Sequence, residues 1–198
     1  MATTVPTLTA ERILDVTEEV LRRHGPAKAT VMDVARALDV SHASLYRHFP
    51  SKTALQEAVT KRWLDRTCQS LADTAAEDRD PPTRLRDWIT GLSAAKRRKA
   101  ADDPELFGTY LVLAGQTREV VGAHLANLIA QLTRIIEAGV ATGAFTTPDP
   151  PIAARAIFQA TVRFHHPIHA KEWQQPGIEK DLDAVLDLVL QGLRYRER

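Results

Sequence analysis

Cysteine is nearly absent from this chain of 198 residues, in which Cys68 is the only one. A lone cysteine excludes disulfide bonds within the chain and agrees with a reducing compartment, and its apolar neighbours predict a buried thiol. No uninterrupted apolar run approaches 18 residues, so we expect no membrane span. The first residues lack a basic stretch followed by an apolar one, which predicts no signal peptide and a cytoplasmic location.

Signatures of catalysis and of β-structure are also scarce. The chain has no His-Glu-x-x-His, Gly-x-Ser-x-Gly, phosphate-loop or dinucleotide-binding pattern, so we expect neither an enzyme nor a bound cofactor. It contains no Asn-Gly or Asp-Gly pair and no sustained alternation of polar and apolar residues. Apolar residues make up 44% and charged residues 26%, and helical periodicities fill the chain, so we predict a globular all-α protein.

Residues 30–53 predict two short helices joined by a tight turn. Thr30 can cap the first helix through its side-chain oxygen, and Ser41 can cap the second in the same way. Leu45 lies where the second helix would meet the core, while Pro50 ends that helix because the residue before a proline avoids the α region. Two short helices in this order are typical of a helix-turn-helix that reads the DNA major groove.

The outward face of the second helix is rich in hydrogen-bond donors and free of acids. No aspartate or glutamate occurs in residues 40–56 or in residues 20–32, although the net charge of the whole chain is only +1. DNA binding needs local positive potential rather than a basic protein, so these windows favour a DNA-reading surface. An ordinary helical hairpin with a solvated face is the alternative that this local pattern leaves open.

This stretch resembles the DNA-binding head of the TetR family of bacterial transcriptional regulators, over roughly residues 9–56. The matching residues are Glu11-Arg12-Ile13-Leu14, Gly25, Thr30-Val31-Met32-Asp33-Val34-Ala35 and Ser41-His42-Ala43-Ser44-Leu45-Tyr46-Arg47-His48-Phe49-Pro50-Ser51-Lys52, with the family's Tyr-x-His-Phe-x-x-Lys ending. Asp39 departs from the pattern, because the family usually has glycine there. Aspartate tolerates the left-handed conformation better than most residues, so we expect the turn to be kept.

The resemblance implies a homodimeric repressor that binds a palindromic operator in double-stranded DNA and is released by a small, moderately apolar effector. It implies a three-helix helix-turn-helix head in residues 1–52, whose first eight residues we expect to form a loose tail. Residues 53–198 would form a helical effector-binding and dimerisation domain. The implied phosphate contacts are Thr30, Tyr46 and Lys52. The implied groove-facing residues are Ser41, His42, Ala43, Ser44, Arg47 and His48.

Helical patterns in the larger part of the chain are separated by breaks rich in proline and glycine. The expected helices cover about residues 52–77, 83–99, 103–115, 117–141, 151–166 and 177–195. The basic run 96–99 is interpreted as the solvated end of the second of these, where cations are favoured.

The last two expected helices carry apolar residues beyond one stripe, which predicts burial on more than one side. Two such helices from each of two chains would form a four-helix interface in a two-fold dimer. Packing of both helices inside one domain is the alternative. The predicted interface residues are Ile152, Ala156, Ala160, Leu182, Leu186, Val189 and Leu193.

His165, His169 and Glu172 follow one another at i, i+4 and i+7, a spacing that suits metal ligands on one helical face. Pro167 interrupts that face, so we expect no metal and polar roles for the histidines. A small helical metalloprotein built on this cluster is one alternative function. The other is a DNA-binding architectural or constitutive regulator that takes no ligand.

The effector pocket is expected among the helices of the larger domain, because such sites combine an apolar lining with a few placed polar groups. Plain core packing is the alternative for each aromatic residue in it. The predicted lining residues are Trp88, Phe107, Tyr110, Leu111, His124, Leu128, Phe158, Val162 and His165.

Overall fold

The computed structural model describes residues 8–194, in which the regular structure is helical throughout. This confirms the all-α class. Residues 1–7 of the expected tail and Tyr195, at the expected end of the last helix, lie outside the described residues. The α-helices are α1 Ala10–Lys28, α2 Val31–Ala37, α3 His42–Tyr46, α4 Lys52–Thr67, α5 Gln69–Ala76, α6 Pro81–Asp102, α7 Pro104–Gln116, α8 Arg118–Ala141, α9 Pro150–Ala160, α10 Val162–His165 and α11 Ile178–Arg194.

The first compact unit contains the described part of Met1–Leu64 together with Asp103–Val121. Within it, α1 packs against α2 and α7, and α2 packs against α3. Helix α1 is interrupted at Gly25, whose φ of 70° lies in the left-handed region that glycine adopts without a Cβ penalty. Pro26 follows at once, so the regular part of α1 ends at the glycine.

Arg62 ties α4 to α1 in this unit. Its buried guanidinium donates to Asp15 Oδ1 at 2.8 Å, to Glu18 Oε1 at 3.1 Å and to Glu11 Oε2 at 3.3 Å. These three acids lie on one side of α1 at i, i+4 and i+7, so a single cation holds that side of the helix.

The second compact unit contains Asp65–Asp102 and the described part of Gly122–Arg198. Its apolar core draws on α5, α6, α8, α9, α10 and α11. Trp88 is fully buried in this core, and its Nε1 donates to Gln131 Oε1 at 2.9 Å. A buried indole N–H is therefore satisfied by a buried amide.

Two helices that the sequence predicts as continuous are broken. The expected helix over residues 52–77 divides at Cys68, whose N–H bonds Asp65 O in a tight turn. The expected helix over residues 151–166 divides at Thr161, whose hydroxyl donates to Ile157 O at 2.9 Å. Local bonds of this kind compete with the regular helical ladder, which periodicity alone does not reveal.

None of the helices within residues 8–194 combines the length and apolar character that a bilayer crossing requires.

Candidate functional site

The nine predicted DNA contacts all lie in the first unit and all retain exposure to solvent. Ser44 and Tyr46 are half-buried. The seven exposed ones are Thr30, Ser41, His42, Ala43, Arg47, His48 and Lys52. Leu45 is fully buried and anchors α3 from the opposite side, as the pattern predicts. Helix α3 therefore presents a polar face while its core residue fixes its position.

Hydrogen bonds organise the polar face of α3. Ser41 Oγ accepts the Ser44 N–H at 3.1 Å, which is the predicted N-cap. Arg47 Nη2 donates to Ser44 Oγ at 3.1 Å. The rings of His42 and Tyr46 meet edge to face with centroids 4.5 Å apart. Ser44 thus positions Arg47, and His42, the first residue of the helix, supports Tyr46.

Thr30 caps α2 in a reciprocal arrangement with Asp33, which confirms its predicted capping role. Its Oγ1 accepts the Asp33 N–H at 3.1 Å, while its own hydroxyl and N–H both donate to Asp33 Oδ2. These bonds lower the pKa of Asp33. A phosphate contact from Thr30 therefore requires one of its bonds to Asp33 to be given up.

The turn between α2 and α3 is formed by Asp39, whose φ is 53°. Within residues 8–194 no other non-glycine residue has a positive φ. The expectation that aspartate keeps the glycine-like turn is confirmed. Beyond α3, Ser51 Oγ accepts the Ala54 N–H at 3.0 Å and caps α4, so that Lys52 stands at the first residue of that helix.

The predicted effector-binding residues are divided between the two units. In the second unit, Val162 is half-buried, and the buried members are Trp88, His124, Leu128, Phe158 and His165. In the first unit, Tyr110 stacks on Trp63 with centroids 4.4 Å apart, and Phe107 is tilted against the same indole at 6.1 Å. Leu111 is exposed. That all nine line one pocket stays a prediction.

His165 is a buried histidine in a largely apolar setting. Its Nε2 lies 3.2 Å from Phe158 O and 3.4 Å from Thr161 Oγ1, and its ring is 4.5 Å from the Phe158 ring. Burial lowers its pKa to about 4, so the imidazole is neutral at physiological pH and Nε2 can donate to the Phe158 carbonyl.

Lys96 is the residue that sequence reasoning missed. The interpretation of residues 96–99 as a solvated end is wrong for Lys96, which is 7% exposed, and holds for Arg98 and Lys99, which are exposed. Lys96 follows the buried Leu92 by four residues, so helical periodicity places it on the core stripe. The spacing from Leu92 was the sequence signal for a buried Lys96, but the three basic residues that follow it favoured the interpretation as a solvated end.

The histidine-rich segment does not bring the candidate metal ligands His165, His169 and Glu172 together. Pro167 ends the helical geometry, as expected, and begins a 3₁₀ turn. His169 Nδ1 lies 2.7 Å from Glu172 Oε1, while His165 contacts Phe158 O instead. Within the described residues, no three histidine, cysteine, aspartate or glutamate side chains are grouped so that they could hold a metal.

The predicted dimer residues lie on different sides of α9 and α11. The exposed members are Ile152, Ala156 and Ala160 on α9. Leu182, Leu186 and Leu193 are buried in the core of their own unit, and Val189 is half-buried. The large apolar side chain exposed on α11 is Leu188, which is 69% exposed.

Fold and surface together define a helix-turn-helix protein with an additional helical domain. Residues 13–59 match the family described as "Bacterial regulatory proteins, tetR family", and residues 81–186 match "Tetracyclin repressor-like, C-terminal domain". The second match alone spans more than half of the chain. The chain therefore belongs to the TetR family and is a DNA-binding transcriptional regulator. The division at residues 52 and 53 stays a prediction.

Solved structures agree with this assignment, whereas a search of curated proteins gives no significant match. The regulator PfmR of Thermus thermophilus is 25% identical, with a TM-score of 0.59 over 94% of this chain and all of its own. FadR of Bacillus subtilis, solved with stearoyl-CoA, is 16% identical, with a TM-score of 0.65 over 93% of this chain and 99% of its own. SmeT, the repressor of a multidrug efflux pump in Stenotrophomonas maltophilia, is 21% identical, with a TM-score of 0.64 over 94% and 91%.

Proposed function

We propose that this regulator is a repressor that reads a palindromic operator through α3. The observation that carries the proposal is the acid-free polar face of α3, on which Ser44 holds Arg47. Arginine is the commonest side chain in specific major-groove contacts, where its fork matches guanine. A guanidinium that is already positioned loses less conformational entropy when it binds.

The side chains around this face are assigned either to phosphates or to base edges. Tyr46 and Lys52 contact phosphates, which fix the register of the head on the duplex without reading sequence. Thr30 also contacts a phosphate when one of its hydrogen bonds to Asp33 is broken. The residues assigned to base edges are Ser41, His42, Ala43, Arg47 and His48, with Ser44 acting through Arg47.

A palindromic operator has two half-sites, so reading both requires two heads and therefore a dimer. Heads on successive major grooves lie roughly 34–36 Å apart, or a multiple of the helical turn. We assign the interface to the exposed sides of α9 and α11, which carry Ile152, Ala156, Ala160 and Leu188. Their small residues allow the helices of two copies to approach closely, while Leu182, Leu186 and Leu193 support the face from within.

Release from DNA requires an effector that favours one conformation of the dimer over another. A small, moderately apolar molecule binding in the second unit meets this requirement, and that unit supplies aromatic and polar groups for it. The candidate lining residues in that unit are Trp88, His124, Leu128, Phe158, Val162 and His165. Because coupling is reciprocal, operator must weaken effector binding by the factor by which effector weakens operator binding.

The DNA-reading proposal is tested with DNA that the protein selects from a random pool. We expect an inverted repeat among the selected sequences. Lys52→Ala and Tyr46→Ala should weaken binding to all sequences, and Lys52→Ala should reduce the slope of log K against log salt by about 0.9, because one phosphate contact is lost.

Lys61→Ala is the matched control, since Lys61 is an exposed lysine on the same helix and lies more than two turns further along. Its binding and salt slope should equal those of the unchanged protein, and circular dichroism should show the same helicity for all variants. Unchanged affinity in both Lys52→Ala and Tyr46→Ala would refute the assignment of the reading head.

A further inference from the structure

Four titratable side chains from separate elements come together in the interior of the second unit. They are Cys68, Lys96, His124 and His165, and we call them the Lys96 cluster. Cys68 Sγ lies 3.7 Å from His124 Nε2. Lys96 lies close enough to Cys68 and His165 to shift the pKa of each. All four side chains are buried.

Lys96 is the cation of the cluster, and Asp65 is an acid close enough to Cys68 to raise the pKa of its thiol. Burial raises the pKa of the Cys68 thiol and lowers the pKa of His165 to about 4, so both are neutral near pH 7. Burial also lowers the pKa of Lys96, whose charged form is costly in the interior. A proton gained by the cluster therefore makes it positive, and its local potential favours a negative group.

The surroundings of the cluster are apolar. Cys68 belongs to the same core cluster as Trp88, Leu128 and Phe158, and the Phe158 ring packs against His165. In such a setting an anion interacts with an ammonium far more strongly than it does in water. If the anion carries an apolar body, that body would pack against core side chains in place of some of their contacts with one another.

We propose that Lys96 binds the negatively charged group of the effector, and that the effector is a small organic acid with an apolar or aromatic body. This inference rests on the proposed function, in which an effector binds the second unit. His124 is the neighbouring group that can hydrogen-bond the acid, because an imidazole can donate from a ring nitrogen, whereas the one N–H of neutral His165 is directed at Phe158 O.

A surface groove of about 450 Å³ lies in the same unit, beside the chain segments that carry Cys68 and Lys96. Its lining includes Thr67, which precedes Cys68, and Ala95, which precedes Lys96. Arg66, Arg98 and Lys99 also line it, so cations outnumber the two acids on its walls, Asp73 and Asp102. A groove with this excess of positive charge attracts anions from solution.

The test compares three acids with their neutral amides: benzoate with benzamide, phenylacetate with phenylacetamide, and decanoate with decanamide. Each pair shares its body and differs in charge. Binding to the full chain is measured by calorimetry, without DNA. We expect at least one acid to bind more than tenfold tighter than its amide.

Variants then locate the anion. Lys96→Met keeps most of the length of the side chain without its charge and should abolish the preference for the acid, while the amide binds as before. Lys96→Arg keeps a cation and should retain part of the preference, which also covers the case in which Lys96→Met does not fold. Lys180→Met, at an exposed lysine on α11 of the same unit that does not line the groove, is the matched control and should behave as the unchanged protein.

Equal affinity for acid and amide in every pair overturns the inference, as does a preference that survives in Lys96→Met. Affinity for the selected operator, measured with and without the acid, separates failure of the anion site from failure of the proposed function. An acid that binds through Lys96 but leaves operator affinity unchanged supports the anion site and refutes release by that site. A neutral compound that releases operator equally from the unchanged protein and from Lys96→Met supports release and overturns the anion site.

Discussion

Two histidines of this chain show how environment decides what one side chain does. His42 lies exposed on α3 with its ring against Tyr46, whereas His165 is 4% exposed with Nε2 directed at a backbone carbonyl. Burial disfavours the charged imidazolium, so His165 stays neutral over the range in which an exposed histidine gains its proton.

Protonation of His165 should make stability depend on pH. Its native pKa of about 4 lies below the ordinary 6.5, so between these values the unfolded state binds a proton that the native state does not. Stability should therefore fall as pH falls from about 6.5 to 4, by on the order of 2–3 kcal/mol from this group. Urea denaturation at pH 7 and at pH 4 measures the loss.

His165→Gln removes the titration and should reduce that loss, because an amide can still donate to Phe158 O without gaining a proton. His24→Gln, at an exposed position, is the control and should keep the pH dependence of the unchanged protein. An identical loss in His165→Gln and in the unchanged protein would show that His165 is not responsible.

Helices α1 and α4 show how a single side chain can fix one element on another. Arg62 on α4 is buried, and its contacts reach three acids over two turns of α1. Because α1 packs against α2, and α2 against α3, the position of α1 influences the helix-turn-helix itself.

Arg62→Met should cost about 3 kcal/mol of stability, because Glu18 is largely buried and would lose its cation. Arg62→Lys should cost less, since it keeps the charge but not the fork that reaches several acids. Thermal and urea unfolding measure both. Arg22→Met, which removes a solvent-exposed pair with Asp103, should cost less than about 1 kcal/mol. Equal losses in Arg62→Met and Arg22→Met would contradict the role of Arg62.

The whole molecule carries apolar side chains that its own fold leaves in water. Ile152 on α9 and Leu188 on α11 are both more than half exposed, although Leu186, two residues earlier on α11, is fully buried. Helix α11 therefore buries one apolar side in its own unit and exposes Leu188 on another, where a second copy would cover it.

Leu188→Glu should convert a dimer of about twice 21.9 kDa into a folded monomer, because a charge would be buried at the interface. Analytical ultracentrifugation measures the mass, and circular dichroism checks the fold. Leu186→Glu is expected instead to unfold the second unit, since Leu186 lies in its core. Val112→Glu, at an exposed apolar position on α7, should leave the mass unchanged. A Leu188→Glu dimer would rule out this interface.

Local signals in the sequence determined the helix-turn-helix. The caps at Thr30, Ser41 and Ser51, the buried Leu45 and the left-handed turn at Asp39 all depend on residues within a few positions of one another. Such features follow from backbone sterics and short-range hydrogen bonds, so the chain carries them wherever the segment folds.

Tertiary structure decided which side of each longer helix is covered. Periodicity placed Leu182, Leu186 and Leu193 on one stripe, but only the packing of the second unit shows that they face its own core and leave Leu188 outside. The same packing buried Lys96 among thiol and imidazole groups that lie 28 to 69 residues away in sequence. Burial depends on neighbours that are distant along the chain, and a pattern within one helix cannot specify which neighbours those are.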